Sequence, residues 1–360
     1  NVDRTVLDSF SHADIGPKAT RAGYLILEVQ AELENAIPNI SMKYDPEITD
    51  DDFALACVKC ALKTAKPSFA NHRMFKNELG ENYVIASCYN GLLLGGGAYT
   101  LCRLILGHIA ERSAGIEDFK NNQLPYVMDV MAKYMDARIA FEVEQSGFFE
   151  SNFLAKEGLI HRDSFTGMFG LVGLADAVNV LMTKEGKDDR FGHSDAATQL
   201  GVEIMDIINE FNNNHFNKYC EGTGNHFLLH AQVGIAEDKR IAPGTRIPIG
   251  EEPEELVDHL NVISNFHKYF VSGTGDIFPV DLTVHKNPEY VLDIIKGSWQ
   301  KDIRYLSFYS SDSDVIRITG YLVKRSEIEK YEQGNAVLQN TTQLGMGAKK
   351  NGRILERKVR

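Results

Sequence analysis

Cys88 and Gly320 are the residues with the clearest reactive potential in this sequence. Cys88 follows the apolar run "YVIAS" and opens a glycine-bearing loop, and a thiol at the end of a buried strand can be presented into a cavity. Gly320 ends the β-like run of residues 315–319 and is followed at once by Tyr321. A glycine there can be a simple turn, because it reaches positive φ without steric cost. It can also be a residue whose missing side chain is itself the chemistry.

Conventional cysteine chemistry is poorly supported by the neighbouring residues. His72 and His108 are the nearest histidines to Cys88, so a Cys–His hydrolase would take its base from a distant segment. Cys57 and Cys60 have the C-x-x-C spacing of redox dithiols, but both fall on the apolar face of a predicted helix. Free cysteine is often buried, so the sequence predicts that this pair is part of the core.

Metal and nucleotide motifs are incomplete. His226 and His230 in "HFLLH" have the i, i+4 spacing of a zinc-binding helix, yet Phe227 replaces the glutamate of the metalloprotease pattern. The prediction is therefore no metal site, and a core or substrate-contact role for the histidines. The glycine-rich stretch "GLLLGGGAYTL" (91–101) fits neither the dinucleotide fingerprint nor the phosphate loop, and it predicts tight backbone packing at a turn.

Short strands alternating with helices must position these residues. "YVIASCYN" (83–90) and "IRYLSFY" (303–309) are typical of buried strands. Helices are predicted over residues 100–115, 125–147, 168–184 and 196–219. A proline-bearing loop follows at 240–256, and a closing helix precedes a loosely held C-terminus. This alternation predicts α/β architecture with a mainly parallel sheet or barrel.

Composition excludes several classes of function. The chain has 360 residues, 43% hydrophobic and 24% charged, which is ordinary for a globular protein with a large core. Its formal net charge of −12 argues against nucleic acid as the main partner, and it has no apolar run of membrane-spanning length. The five cysteines, odd in number, predict a reducing cytoplasm. Because the chain opens on Asn1 without a leader, we expect a longer protein whose N-terminal region is absent here.

Several segments together resemble the glycyl radical enzymes. The stretch that leads to their catalytic cysteine is similar to "PNISMKYDPEIT" (38–49), "KPSFANHRMF" (66–75) and "ASCYNG" (86–91). Their C-terminal signature, Arg-x-x-Gly-Tyr, resembles "VIRITGYLVKR" (315–325). "FTGMFGLVGLADAVNVL" (165–181) is similar to a segment of anaerobic ribonucleotide reductases. Most of the chain, including residues 238–253 and 272–289, resembles the YjjI family of glycine radical enzymes, whose members are normally longer.

The resemblance implies that Gly320 stores a radical and that Cys88 acts as a thiyl. A separate radical-SAM activating enzyme, with its own iron–sulfur cluster, would remove a hydrogen atom from Gly320, and no cofactor would be bound permanently. Cys88 would then take a hydrogen atom from the substrate. A Cα radical is delocalised over the flanking amide groups and is near-planar, which only a residue without Cβ permits without crowding. This relay needs neither a low thiol pKa nor an adjacent base.

The same resemblance implies a ten-stranded α/β barrel of two five-stranded half-barrels surrounded by helices. Residues 1–360 would be a single catalytic domain, with 305–345 as its C-terminal glycine radical segment. We further expect a cytoplasmic homodimer that acts on a small polar metabolite. The polar residues expected to contact that metabolite lie near the recognised turns: Asn90, Asn71, His72 and His226.

Departures from the family pattern constrain the reaction. Asn90 replaces the glutamate of the Cys-x-Glu found in radical dehydratases and decarboxylases, and an amide cannot take a proton near neutral pH. A lyase or eliminase here would therefore take its base from another residue. Ser87 precedes Cys88, unlike the Cys-Cys pair of pyruvate formate-lyase, and no cysteine follows Cys220 to form the zinc site of anaerobic ribonucleotide reductases. The sequence favours a lyase or eliminase, with a nucleotide-reductase-like enzyme as the alternative and a non-catalytic binding descendant less favoured.

Overall fold

The computed structural model of the chain describes residues 11–86, 89–232, 241–337 and 341–360. Within these ranges the chain forms twelve strands: β1 His12–Ile15, β2 Asn39–Tyr44, β3 Ser68–Asn71, β4 Tyr83–Ala86, β5 Asn90–Leu93, β6 Gly97–Ile105, β7 Phe165–Val172, β8 Leu228–Ala231, β9 Asp276–Val280, β10 Tyr305–Ser310, β11 Val315–Arg317 and β12 Leu322–Lys324.

Helices separate most of these strands. The α-helices of the described ranges are α1 Arg21–Leu33, α2 Asp51–Thr64, α3 His72–Leu79, α4 Leu106–Arg112, α5 Ile116–Asp118, α6 Leu124–Glu144, α7 Phe148–Ser151, α8 Phe153–Lys156, α9 Leu174–Lys184, α10 Asp195–Asn214, α11 Leu256–Ser264, α12 Glu289–Trp299, α13 Arg325–Glu332 and α14 Thr341–Asn351. No helix in this part of the chain combines the length and apolar character that crossing a membrane requires.

Two main sheets carry the architecture. Five strands lie in the order β1-β2-β3-β10-β9, in which only the β3–β10 pair is antiparallel, and β6-β7-β8 form a parallel sheet. The two sheets adjoin where the amide of Ala231, at the end of β8, donates to the carbonyl of Gly273 at 3.2 Å, just before β9. The predicted α/β architecture with mainly parallel strands is confirmed. These eight strands of the described ranges compare with the ten implied by the resemblance.

Two of the predicted helices begin as strands. Residues 100–115 and 168–184 contain the ends of β6 and β7 before α4 and α9 start. Every residue of β7 is buried, and a strand buried on both faces has no alternation of polar and apolar residues. A continuous apolar run of this kind cannot be told from a buried helix by periodicity alone. The helices predicted over 125–147 and 196–219 are present as α6 and α10.

Alternate residues of the five-stranded sheet face opposite environments, as the period of two in a strand requires. One face packs on helices α2 and α12 in an apolar cluster that includes Ile15, Met42, Phe69, Leu306 and Phe308. Cys57 and Cys60 belong to this cluster, as predicted, and burial raises the pKa of the Cys57 thiol. The opposite face, here called the inner face, is mostly polar: His12 and Asp14 of β1, Asn39, Ser41 and Lys43 of β2, Ser68 and Ala70 of β3, and Tyr305, Ser307 and Tyr309 of β10.

Candidate active site

The strand register aligns the inner face into rows. His12 of β1 pairs with Asn39 of β2 in the first row. The second row runs from Asp14 through Ser41 and Ser68, and the Ser68 hydroxyl lies 2.6 Å from that of Ser307. Neighbouring strands lie about 4.8 Å apart, so the second row is a belt of three hydroxyls that ends in a carboxyl group. A small polar molecule would find hydrogen-bonding groups along the whole row.

Gly320 lies at the first-row end of the inner face. It is buried in the hairpin that connects β11 to β12, where the amide of Ile318 donates to the carbonyl of Tyr321 at 3.0 Å. The side-chain amide of Asn39 donates to the Gly320 carbonyl at 3.2 Å. A small cavity at Gly320 is lined by His12, Ala36, Ile37, Asn39, Tyr321, Leu322 and Thr341. The backbone of Gly320 is therefore held against the inner face.

Two buried arginines fix this hairpin. The Arg317 guanidinium donates to the side-chain oxygen of Asn39 at 2.8 Å, which orients the amide that contacts Gly320. The Arg357 guanidinium donates to the carbonyl of Arg317 at 2.7 Å and also to that of Ile318. The expectation of a loosely held C-terminus was wrong, because Arg357 is buried and the amide of Arg360 donates to the Pro279 carbonyl at 2.9 Å.

Arg357→Ala is expected to loosen the glycine hairpin. The substitution removes two hydrogen bonds from a charged donor to buried carbonyls, which we expect to lower the free energy of unfolding by about 1–3 kcal/mol. Urea unfolding measures this change, and limited proteolysis should cleave near residues 318–322 sooner than in the wild type. Arg357→Lys keeps the charge but not the two-pronged geometry, and should lie between the two. Unchanged proteolysis in Arg357→Ala would show that the tail does not hold the hairpin.

Cys88 lies outside the described residues. Among the described residues before and after it in the sequence, Ala86 pairs with Asn90 in the β4–β5 hairpin. The Tyr89 hydroxyl donates to the Ala231 carbonyl at 2.6 Å, and its ring packs edge-on against Tyr305, with centroids 5.9 Å apart. Tyr89, the residue after Cys88, therefore packs against the inner face through Tyr305.

Gly273 lets the backbone of Tyr89 approach closely because it has no side chain. Its φ is +119°, and a Cβ there would lie 1.8 Å from the Tyr89 carbonyl oxygen. We expect Gly273→Ala to displace Tyr89, the residue after Cys88, and to abolish turnover, besides costing about 1–3 kcal/mol of backbone strain. Gly80→Ala is the matched control, since Gly80 also has positive φ but nothing lies within 4 Å of its added Cβ. Activity and folding assays on both variants separate the clash from the strain, and equal activity would contradict this role of Gly273.

A line of contacts connects Tyr89 to the hairpin that carries Gly320. Tyr89 packs on Tyr305, and the Tyr305 hydroxyl lies 3.0 Å from that of Ser41. Ser41 is two residues from Asn39 on the same face of β2, a rise of about 6.6 Å. Asn39 contacts the Gly320 carbonyl. Tyr89, the residue after Cys88, and Gly320 thus meet the same stretch of the inner face.

The predicted substrate-contact residues differ in their surroundings. The side-chain oxygen of Asn90 is buried without a hydrogen-bond partner among the described residues, as expected of a group that awaits a ligand. Asn71 caps α3 by accepting from the amide of Met74 at 3.3 Å, and it also donates to a backbone carbonyl. Nδ1 of His72 lies 2.8 Å from the Tyr83 hydroxyl, whereas Nδ1 of His226 donates to the His215 carbonyl at 3.0 Å.

Asp14 and Lys43 form a charged pair that sequence inspection missed. The Asp14 carboxylate accepts from the amide of Ile85 at 2.8 Å and lies 3.5 Å from Nζ of Lys43. Burial raises the pKa of Asp14 above its usual value, and the bond from Ile85 and the Lys43 charge oppose that rise. Two residues earlier on the same face of β1, burial and the nearby Arg317 charge lower the pKa of His12 to about 4. In "HADI", His12 and Asp14 are two residues apart, a spacing that places both on one face of a strand and could have indicated this polar face.

The whole chain matches a known protein family and two bacterial relatives. A family model described as "Glycyl radical enzyme YjjI-like" matches residues 1–360. A Haemophilus influenzae protein is 47% identical over 363 residues, which cover 100% of this chain and 70% of that protein. The Escherichia coli protein YjjI is 41% identical over 360 residues, covering 100% and 69%.

Solved structures show the same fold at low identity. A glycyl radical enzyme from Archaeoglobus fulgidus has a TM-score of 0.74 at 12% identity, over 97% of this chain and 58% of that one. The glycerol-bound form of the B12-independent glycerol dehydratase from Clostridium butyricum has a TM-score of 0.70 at 12% identity, over 97% and 57%. The chain thus spans less than two thirds of these two proteins. The likeness confirms the predicted fold class.

Proposed function

This chain belongs to the YjjI-like glycyl radical enzymes, as its motifs predicted, and from this premise we propose that it carries their radical relay. In the proposal, Gly320 stores the radical and Cys88 takes a hydrogen atom from a small polar metabolite. The observation that carries it is the buried Gly320 backbone, whose carbonyl Asn39 holds beside a row of polar groups. Residues 1–360 then act as one catalytic domain, with 305–345 as the glycine segment.

The proposed relay consists of three successive hydrogen-atom transfers. An activating enzyme of the radical-SAM class removes one hydrogen atom from the Cα of Gly320. Gly320 regains a hydrogen atom from the Cys88 thiol, and the resulting thiyl takes one from a carbon of the substrate. The apolar residues around Gly320, including Ile318 and Leu322, keep water and oxidants away from it.

The reaction class that fits best is an elimination. When the thiyl removes hydrogen from a carbon that bears a hydroxyl group, that hydroxyl loses its proton and the neighbouring carbon releases water. The carbon radical that remains takes a hydrogen atom back from Cys88. A diol thereby becomes an aldehyde or ketone plus water, with no external reductant. Nucleotide reduction, the alternative, requires a reductant, and buried Cys57 and Cys60 are poorly placed to supply one.

Anaerobic activation followed by a substrate panel tests the proposal. The purified protein, an activating enzyme, S-adenosylmethionine and a reductant are incubated with glycerol, 1,2-propanediol or trans-4-hydroxy-L-proline, the compounds named with dehydratases of the same fold. A parallel sample receives CTP with formate. Dehydrated product, followed by NMR, supports a lyase, and a deoxynucleotide favours the reductase. Activated protein without an electron paramagnetic resonance (EPR) signal would contradict both.

A further inference from the structure

The family's usual base is missing at Asn90, and the inner face offers a carboxyl group on another strand, that of Asp14 on β1. Asn90 cannot accept a proton near neutral pH, so an elimination needs another group. Asp14 lies on the same face of β1 as His12, which lines the Gly320 cavity. Its side chain also accepts the amide of Ile85, three residues before Cys88. Asp14 is therefore linked to the Gly320 cavity through His12 on the same face of β1, and to the end of β4, the strand that precedes Cys88 in the sequence.

One carboxyl oxygen of Asp14 remains available. Oδ2 is occupied by Ile85 and Lys43, but Oδ1 is buried and has no hydrogen-bond partner among the described residues. A buried acceptor without a partner is costly, and such exceptions mark functional positions or bound groups. The row that begins at Asp14 continues with the hydroxyl groups of Ser41 and Ser68. Asp14 thus stands at the end of a belt suited to a hydroxylated ligand.

The charged and titratable groups around Asp14 leave it as the best proton acceptor. Lys43 is occupied on one side by the Tyr83 carbonyl at 2.7 Å and lies 4.2 Å from the Tyr83 ring centroid. Burial raises the pKa of Tyr83, so it stays protonated. The pKa of His12 falls to about 4, which makes its imidazole a weak base. A carboxyl group whose pKa burial moves toward neutrality suits general acid–base work.

We propose that Asp14, held by Ile85 and Lys43, is the catalytic acid–base group of this site and that the substrate is a small molecule with adjacent hydroxyl groups. The proposal rests on the function proposed above. After Cys88 has removed a hydrogen atom, Asp14 takes the proton of the hydroxyl group on the radical carbon. The bond from the neighbouring carbon to its hydroxyl group breaks, and Asp14 returns the proton so that water leaves. The carboxylate ends as it began.

Asp14→Asn tests this role, because it keeps the shape and removes the proton transfer. Activated Asp14→Asn should retain the EPR signal of wild type, while its turnover of glycerol or 1,2-propanediol falls about 100-fold or more. Asp176→Asn is the matched control: Asp176 lies on α9, accepts the Ala242 amide at 2.9 Å, and its pKa is also raised by burial. The control should keep both the signal and the turnover. Full turnover in Asp14→Asn would overturn the proposal.

A second measurement needs no substrate. The pKa of Asp14 is raised in the folded state, so ionisation of this carboxyl group opposes folding. Below the ordinary carboxyl pKa of 3.8, Asp14 is protonated and makes its full contribution to the free energy of unfolding. That contribution is lost as the pH rises through the higher folded-state pKa. The urea stability of wild type relative to Asp14→Asn should therefore fall as the pH rises above 3.8. A rise would mean that Asp14 is an ordinary ion-pair partner of Lys43, and would overturn its role.

These measurements keep the two proposals apart. If wild type gives no EPR signal, or a signal without turnover of any probe, the relay or its substrate class fails, and the acid–base role of Asp14, which rests on it, fails as well. If wild type turns over a diol and Asp14→Asn does so equally well, the relay stands and Asp14 is refuted.

Discussion

Gly320→Ala is expected to abolish both the radical and the turnover while leaving a folded protein. A Cβ prevents the unstrained planar centre that delocalises the unpaired electron over the neighbouring amides. In the activated wild type, oxygen is expected to cleave the backbone at the Gly320 radical and to release a C-terminal fragment of about forty residues (360 − 320 = 40). Gly320→Ala cannot form this radical, so it should not be cleaved there. Mass spectrometry after air exposure should find this fragment in activated wild type and not in Gly320→Ala.

Gly297→Ala is the appropriate control for this substitution. Gly297 lies on α12 with nothing within 4 Å of an added Cβ, and alanine in a helix is more stable than glycine by about 0.5–1 kcal/mol. The control should therefore be at least as stable as wild type, with full radical content and normal cleavage in air. A fragment released from Gly320→Ala at the same position would contradict the assignment of the radical.

Cys88→Ser is expected to separate radical storage from substrate chemistry. Serine keeps the size of the side chain, but its O–H bond is too strong for the hydroxyl group to return a hydrogen atom to Gly320. The activated variant should show the Gly320 radical at wild-type levels, while product formation falls to background. Spin quantification by EPR and product analysis by NMR on the same sample measure both quantities.

Cys102→Ser controls for the loss of a thiol as such. Cys102 is a free, partly buried cysteine on β6, in a different sheet from the glycine hairpin. Its replacement should leave both radical and turnover unchanged. Product formation by Cys88→Ser at wild-type rates would eliminate Cys88 as the hydrogen carrier and leave the relay without a second member.

The sequence predicted the architecture better than the local structure of its most buried strands. Helices with one apolar face, such as α6 and α10, could be predicted because solvent leaves a polar face in the pattern. The strand β7, "FTGMFGLV", is buried on both faces, so its sequence shows no alternation of polar and apolar residues. Without that alternation, the run cannot be told from a buried helix, and the sequence predicts a helix there. Strand pairing, including the reversal between β3 and β10, depends on contacts distant in sequence.

The candidate site could be predicted only where it has a motif. Gly320 and Asn90 occupy recognisable positions; Gly320 is buried, and the side-chain oxygen of Asn90 has no hydrogen-bond partner among the described residues. Asp14 and Arg357 have no motif, because their importance comes from packing against distant segments. Asn71, chosen as a polar residue near a turn, proves to be a helix cap, although its place in a substrate site stays a prediction.

Hydrogen exchange at the radical site tests the central relay most directly. One hydrogen remains on the Cα of an activated Gly320 and splits its EPR signal into a doublet. If Cys88 passes hydrogen to and from Gly320, its thiol acquires deuterium from D₂O and delivers it to that carbon. The account predicts that the doublet of wild type collapses to a single line in D₂O, and that it persists in Cys88→Ser. A wild-type doublet that survives prolonged incubation in D₂O, or a doublet in Gly320→Ala, would contradict it.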